Sequence, residues 1–167
     1  MKRILALIII LLPIFTSGQI LGKRTPDWVK NTPKSSENYY AVGEGSSATL
    51  DVAERKARLN ANVKLAEQVG PEVKTETTRF ENVVRNNKLL KEKVYTMRKT
   101  VVASLHDTRI VEQYSKEKNG VHTVYLLVEM PKKSIAQSII SQVNNDKDLH
   151  RALAGSKAYK KLLAEAK

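Results

Sequence analysis

Small side chains recur at helical spacing in the middle of the chain. Ala53, Ala57 and Ala61 fall every four residues, between Leu50 and the larger Leu65 and Val69. Residues so spaced line one face of an α-helix. A face built of alanine can approach a neighbouring layer closely, and a sheet is the expected layer, because Tyr39-Tyr40-Ala41-Val42 just upstream reads as a strand. The opposite face carries Arg55, Lys56, Arg58, Asn60, Asn62 and Lys64. Asp51 followed by Glu54 fits the helix start, and Ser47 is an alternative cap. Gly70-Pro71 is the predicted stop, with a glycine just past the end and a proline behind it.

Beyond that stop, Glu72 to Val84 is predicted as a second strand, since Val73, Thr75 and Thr77 alternate with Lys74, Glu76 and Thr78. Asn86-Asn87-Lys88 reads as a turn. Leu89 to Leu105 fits either state. Its β-branched residues suit a strand, yet Leu90, Val94, Met97, Val101 and Leu105 share a helical stripe, and helix is preferred. Thr108 to Ser115 and Val121 to Met130 flank Asn119-Gly120, a strong hairpin signal. Val124, Leu126 and Val128 facing Tyr125 and Leu127 mark the second arm as buried, and Pro131 ends it. Helical spacing returns in Ser134 to Val143 through Ile135, Ile139, Ile140 and Val143. After Asn144-Asn145-Asp146, Leu149, Leu153, Tyr159, Leu162 and Leu163 make a basic segment amphipathic. The predicted order is strand, long helix, strand, helix, hairpin, helix. That is an α+β fold, an antiparallel sheet packed by a long helix, and not the βαβα alternation of a doubly wound fold.

The 167 residues suit one globular domain. Lys2-Arg3, the apolar run Ile4 to Leu12, Pro13 and small Thr16-Ser17-Gly18 have the anatomy of a cleaved signal peptide over residues 1–18. The run is short of the roughly 20 residues that span a membrane. Residues 19–38, with Thr25-Pro26, Thr32-Pro33 and Ser35-Ser36, read as an extended leader, residues 39–143 as the core domain and residues 144–167 as a basic helical tail. An exported chain without cysteine has neither disulfides nor thiolate chemistry, nor a residue to carry a lipid. Removing Lys2 and Arg3 from 29 basic residues leaves 27 against 17 acidic, a net charge of +10 that favours anionic partners. Two Phe, six Tyr and one Trp are too few for stacking single-stranded nucleic acid, so no specific nucleic-acid partner is expected.

Gly43-Glu44-Gly45-Ser46-Ser47-Ala48 has the Gly-x-Gly-x-x-Ala spelling of a dinucleotide loop. It lacks the parallel βαβ unit and the second-strand acid, and Glu44 would repel a phosphate. The expected role of Gly43 and Gly45 is a sharp turn between strand and helix, and no cofactor is expected. His106, His122 and His150 are widely spaced and lack the i, i+4 partner of a zinc helix. Ser46 and Ser47 lack the nucleophile-elbow spelling. No catalytic, cofactor or metal set is therefore assigned. The candidate partner contacts are Trp28, the aromatic residue of the leader, and the cations Lys147, Arg151, Lys157, Lys160 and Lys161.

Pro26-x-Trp28, then Tyr39-Tyr40-Ala41-Val42-Gly43-x-Gly45, then Ala53, Ala57 and Ala61, resemble the twenty-kilodalton membrane-associated lipoprotein family of bacteria. Val73-Lys74-x-Glu76-Thr77-Thr78 and Val124-Tyr125-Leu126-Leu127-Val128 are similar too, so the likeness spans roughly residues 26–140. The N-terminal domain of the flagellar protein FlgT resembles this build. The resemblance implies a small α+β envelope domain whose sheet cradles the long helix somewhat as in dodecins, located at the outer membrane or in the periplasm, with no catalytic residues to carry over. The expected function is a non-enzymatic envelope protein acting by binding or assembly, its partner another envelope protein or itself. The alternatives are a basic adhesin-type protein on an anionic membrane or glycan, and a hydrolase with an unrecognised site, which activity lost on changing Ser46, Ser47 or His106 would favour.

Overall fold

The computed structural model describes residues 24–104 and 108–167. The expected signal peptide, the predicted cleavage after Gly18, and His106 lie outside the described residues. The elements are α1 (Asp27–Lys30), β1 (Asn38–Ser47), α2 (Leu50–Val83), α3 (Lys88–Ala103), β2 (Arg109–Lys118), β3 (Val121–Pro131), α4 (Lys133–Asn145), α5 (Lys147–Leu153) and α6 (Lys157–Glu165). The sheet is three-stranded and antiparallel in the order β1-β3-β2. The fold is α+β, with the leader forming one helical turn at α1 that lies against β3.

The predicted stop at Gly70-Pro71 and the predicted strand Glu72 to Val84 are both corrected. α2 runs through them as one helix of 34 residues, roughly 50 Å long. Proline lacks an N–H for the Glu67 carbonyl, but both residues are exposed, so water can satisfy that carbonyl. The buried stripe outweighs this loss. Ala53, Ala57, Ala61, Leu65 and Val69 continue into Val73, Thr77 and Phe80 without a break. The threonines that suggested a strand fold their hydroxyls back onto the helix. Thr75, Thr77 and Thr78 donate to the carbonyls of Pro71, Val73 and Lys74 at 2.9, 2.7 and 2.7 Å. The cap is also corrected: Thr49 occupies the position, neither Ser47 nor Asp51.

The helical reading of Leu89 to Leu105 is the right one as far as Ala103, with Asn87 as the cap accepting from the Leu90 N–H at 3.0 Å. Asn119 and Gly120 have φ of 53° and 72°, the pair of positive angles of a type I′ hairpin turn.

Gly43 and Gly45 do not make a turn. β1 extends through them to Ser47, beyond its predicted end at Val42, and they lie in the strand where α2 crosses it. A Cβ on Gly43 would sit 1.9 Å from the Ala57 carbonyl oxygen, and one on Gly45 would sit 2.1 Å from that of Ala53. The alanine stripe and the two glycines are thus facing surfaces that let the helix backbone rest on the strand.

One core collects α2, α3, the inner face of the sheet and the C-terminal helices. Val124, Leu126, Val128 and Met130 of β3 join Phe80, Val94, Ile135, Ile139, Leu149, Leu153, Tyr159 and Leu162. Asp146 caps α5, accepting from the Asp148 and Leu149 N–H groups at 3.0 and 3.1 Å, and it pairs with Lys93 of α3 at 2.9 Å. The Leu149 N–H, followed by Lys93, holds its carboxyl below the usual range. A carboxyl with a depressed folded pKa gives stability that is present above its unfolded value of about 4 and lost as pH falls through the folded one. Asp146→Ala is expected to cost about 1 kcal/mol at pH 7. Urea midpoints taken down the pH scale should show variant and parent converging below about pH 4. A gap that stays constant to pH 2 would show that the carboxylate charge contributes nothing.

Candidate binding surface

A three-stranded sheet has two edges, and the backbone groups along each must find partners or face water. On β1 the outward carbonyls find their partners on α2. Lys56 donates to the Ser46 carbonyl at 3.1 Å, Asn60 to Glu44 at 2.7 Å, Lys64 to Val42 at 2.7 Å and Gln68 to Tyr40 at 3.0 Å. Donors at i, i+4, i+8 and i+12 sit one turn apart on a helix, and the acceptors sit two residues apart on the strand. The rise of four helical residues and of two strand residues is close, about 6.0 and 6.8 Å, so a helix laid along the edge keeps step for four rungs. Lys56, Asn60 and Lys64, read from the sequence simply as the face opposite the alanines, are the first three rungs.

The β2 edge is different. Every residue from Arg109 to Lys118 is exposed except the half-buried Tyr114, and Ile110 and Val111 are among the exposed large apolar side chains. Among the described residues no side chain hydrogen-bonds to its outward backbone groups. Gln113 donates to Glu54 of α2 at 2.7 Å, and the Tyr114 ring stacks on Tyr125 at 6.1 Å between centroids. Lys116 lies 5.6 Å over that same ring. A bulge at Val111 marks where β2 departs from regular pairing. At its start Arg109 pairs with the buried Glu129. That guanidinium, with help from Tyr40, keeps the Glu129 carboxyl below its usual range although burial pushes it up.

The sequence-derived contacts fall elsewhere. Trp28 is half-buried on α1. Lys147, Arg151, Lys157, Lys160 and Lys161 are all exposed on α5 and α6. Lys161 pairs with Glu165 at 2.9 Å, and the other four have no carboxylate within salt-bridge distance among the described residues. These cations sit on helices whose other faces, through Leu149, Leu153, Tyr159 and Leu162, belong to the core. The β2 edge was not singled out from the sequence. A sheet edge depends on strand order, which no local pattern encodes; the mixed-charge run Glu112 to Lys118 was the available signal.

Of the hydrolase candidates, Ser46 and Ser47 lie at the end of β1, and His106 is outside the described residues. Ser46 hydrogen-bonds Thr123 at 3.1 Å. Ser47, His122 and Glu117 do form one row across the three strands. However, His122 Nδ1 lies 3.9 Å from the Glu117 carboxylate, beyond hydrogen-bond reach, and no hydrogen bond joins Ser47 to His122. His150 meets the edge of the Tyr159 ring at 6.2 Å. Among the described residues, no cluster of three or more His, Asp or Glu is placed to hold a metal ion, and no helix is long and apolar enough to cross a membrane.

The model of the LPP20 lipoprotein family matches residues 26–130. No curated protein matches the chain. Among solved structures, the secreted protein HP1454 from Helicobacter pylori is similar at 19% identity, over 77% of this chain and 49% of that one, with a TM-score of 0.36. The chain thus spans about half the length of that protein.

Proposed function

The chain belongs to the LPP20 lipoprotein family, and from that premise we propose an exported, non-enzymatic cell-envelope protein that works by holding another polypeptide on the β2 edge. The observation behind this reading is the asymmetry of the sheet: four α2 side chains occupy the outward carbonyls of β1, while β2 is exposed at every residue but the half-buried Tyr114. An extended partner strand would gain main-chain hydrogen bonds there and take specificity from alternate side chains. Family membership supports the envelope as the setting. The chain's lack of cysteine favours retention through protein contacts over a lipid anchor.

The test is site-specific photo-crosslinking in intact cells. A photoreactive residue at Val111 or Ser115 of β2 is expected to give a discrete higher-mass adduct, and one at Val83, exposed on α2, is expected to give none. Adducts absent from both β2 positions would overturn the proposal.

A second reading rests on the cations. Lys147, Arg151, Lys157 and Lys160 leave positive charge uncompensated on α5 and α6, which suits an anionic membrane or glycan. Sedimentation with vesicles rich in phosphatidylglycerol would support it if binding were lost between 50 and 500 mM salt, since exposed charges are screened over about 10 Å at 0.1 M. Reversal of charge at these four positions should then abolish binding and leave the β2 adducts intact.

A further inference from the structure

We propose that the occupant of the β2 edge is a second copy of this chain, paired antiparallel about Tyr114. This deepens the reading of β2 as the binding surface and rests on it.

The phase of the backbone limits how two β2 strands can meet. The outward carbonyls of β1 belong to Tyr40, Val42, Glu44 and Ser46, so the alternate residues of β1 turn their backbone groups to β3. Their partners Val124, Leu126 and Val128 therefore point to β1. Thr123, Tyr125 and Leu127 point the other way, to Lys116, Tyr114 and Glu112 of β2. What remains on the outer edge is the backbone of Gln113, Ser115 and Glu117. An antiparallel pair needs outward groups on both strands to coincide.

Placing Gln113 of each copy opposite Ser115 of the other satisfies that condition under a two-fold axis. The same register sets Glu112 opposite Lys116 twice, and Tyr114 opposite Tyr114, at the close non-hydrogen-bonded sites where cross-strand side chains interact most. The segment Glu112-Gln113-Tyr114-Ser115-Lys116 is charge-complementary to its own reverse. Charges on an edge strand ordinarily discourage pairing. Here they oppose each other in sign when the incoming strand is another β2 in this register, which favours self-pairing. Glu112, Tyr114 and Lys116 all lie on the sheet face away from α2, whereas Gln113 and Ser115 share its face. A two-fold contact of this kind uses the same patch on both partners and closes on itself.

The test begins with sedimentation of the purified chain over a concentration series. A monomer–dimer equilibrium is expected. Glu112→Lys places like charges opposite each other twice and should weaken dimerisation by about tenfold or more. Lys116→Glu should do the same, and the double variant Glu112→Lys/Lys116→Glu should restore the parent constant. Both single changes are at exposed positions, and circular dichroism would verify that each remains folded. Because the chain has no cysteine of its own, Tyr114→Cys provides an independent readout. Two copies in this register should form an intermolecular disulfide on mild oxidation. A chain that stays monomeric at millimolar concentration, or a dimer indifferent to Glu112→Lys, would overturn self-pairing. If the monomer still gave adducts at Val111 in cells, the edge would serve a different protein and the broader reading would stand. Monomer and no adducts together would overturn both.

Discussion

Gly43→Ala is expected to destabilise the domain by at least about 3 kcal/mol, the top of the overpacking range. The added Cβ would lie 1.9 Å from the Ala57 carbonyl oxygen and 2.6 Å from the Ala61 nitrogen. Both are backbone atoms of a helix, so no rotamer change relieves the clash and α2 itself must lift off the strand. Gly45 meets Ala53 and Ala57 in the same way, at 2.1 and 2.5 Å. The double variant Gly43→Ala/Gly45→Ala should not fold, because a domain holds only about 5–15 kcal/mol in total. Gly70→Ala is the control. It sits in α2, with nothing within 4 Å of the new Cβ. There, alanine should be neutral or stabilising by up to about 1 kcal/mol, through its better helix propensity. Urea titration of the three variants distinguishes space from chain flexibility as the reason for these glycines. Equal effects at Gly43 and Gly70 would reject close approach.

Phe80→Ala should cost about 3–5 kcal/mol, the range for an aromatic removed from a core. Phe80 is one of the largest fully buried side chains and lies past Pro71 on α2, where the sequence pattern pointed to a strand. Its ring stands 6.4 Å from that of Tyr159 on α6. The substitution therefore opens a cavity between the long helix and the C-terminal helices. Thr78→Ala, on the exposed side of the same turn, should cost far less, about 0.5 kcal/mol. Comparable losses at both positions would mean that this segment does not present one face to the core.

The parts of the fold that were legible in the sequence are those fixed by local chemistry. Ala53, Ala57 and Ala61 gave a helix face, and Asn119-Gly120 gave a turn whose two positive φ angles those residues tolerate. Val94, Met97 and Val101 outweighed the β-branched content of α3. What misled was a conflict between local and tertiary terms. Gly70-Pro71 is a strong breaker on propensity alone, yet the apolar stripe continues across it, and the stripe won. The position of Gly43 and Gly45 between an apolar run and a helix suggests a turn, whereas they are absences of side chain required by Ala53 and Ala57. The Ala-face and the Gly-pair were both visible; their mutual contact was not, since it depends on how the helix crosses the strand. The same holds for the candidate site. Which strands become the outer ones follows from the order β1-β3-β2, and which of the two edges meets α2 follows from how the helix crosses β1.

The four-rung ladder between α2 and β1 sets a limit on growth. A sheet open at both edges can add copies without end, as fibrils do. Here the rungs from Lys56, Asn60, Lys64 and Gln68 act as a chain terminator on one side of every molecule. If copies pair through β2 as proposed, association through the sheet has a valency of one. Raising the concentration would then complete pairs, and neither described sheet edge would offer a third molecule a free row of carbonyls.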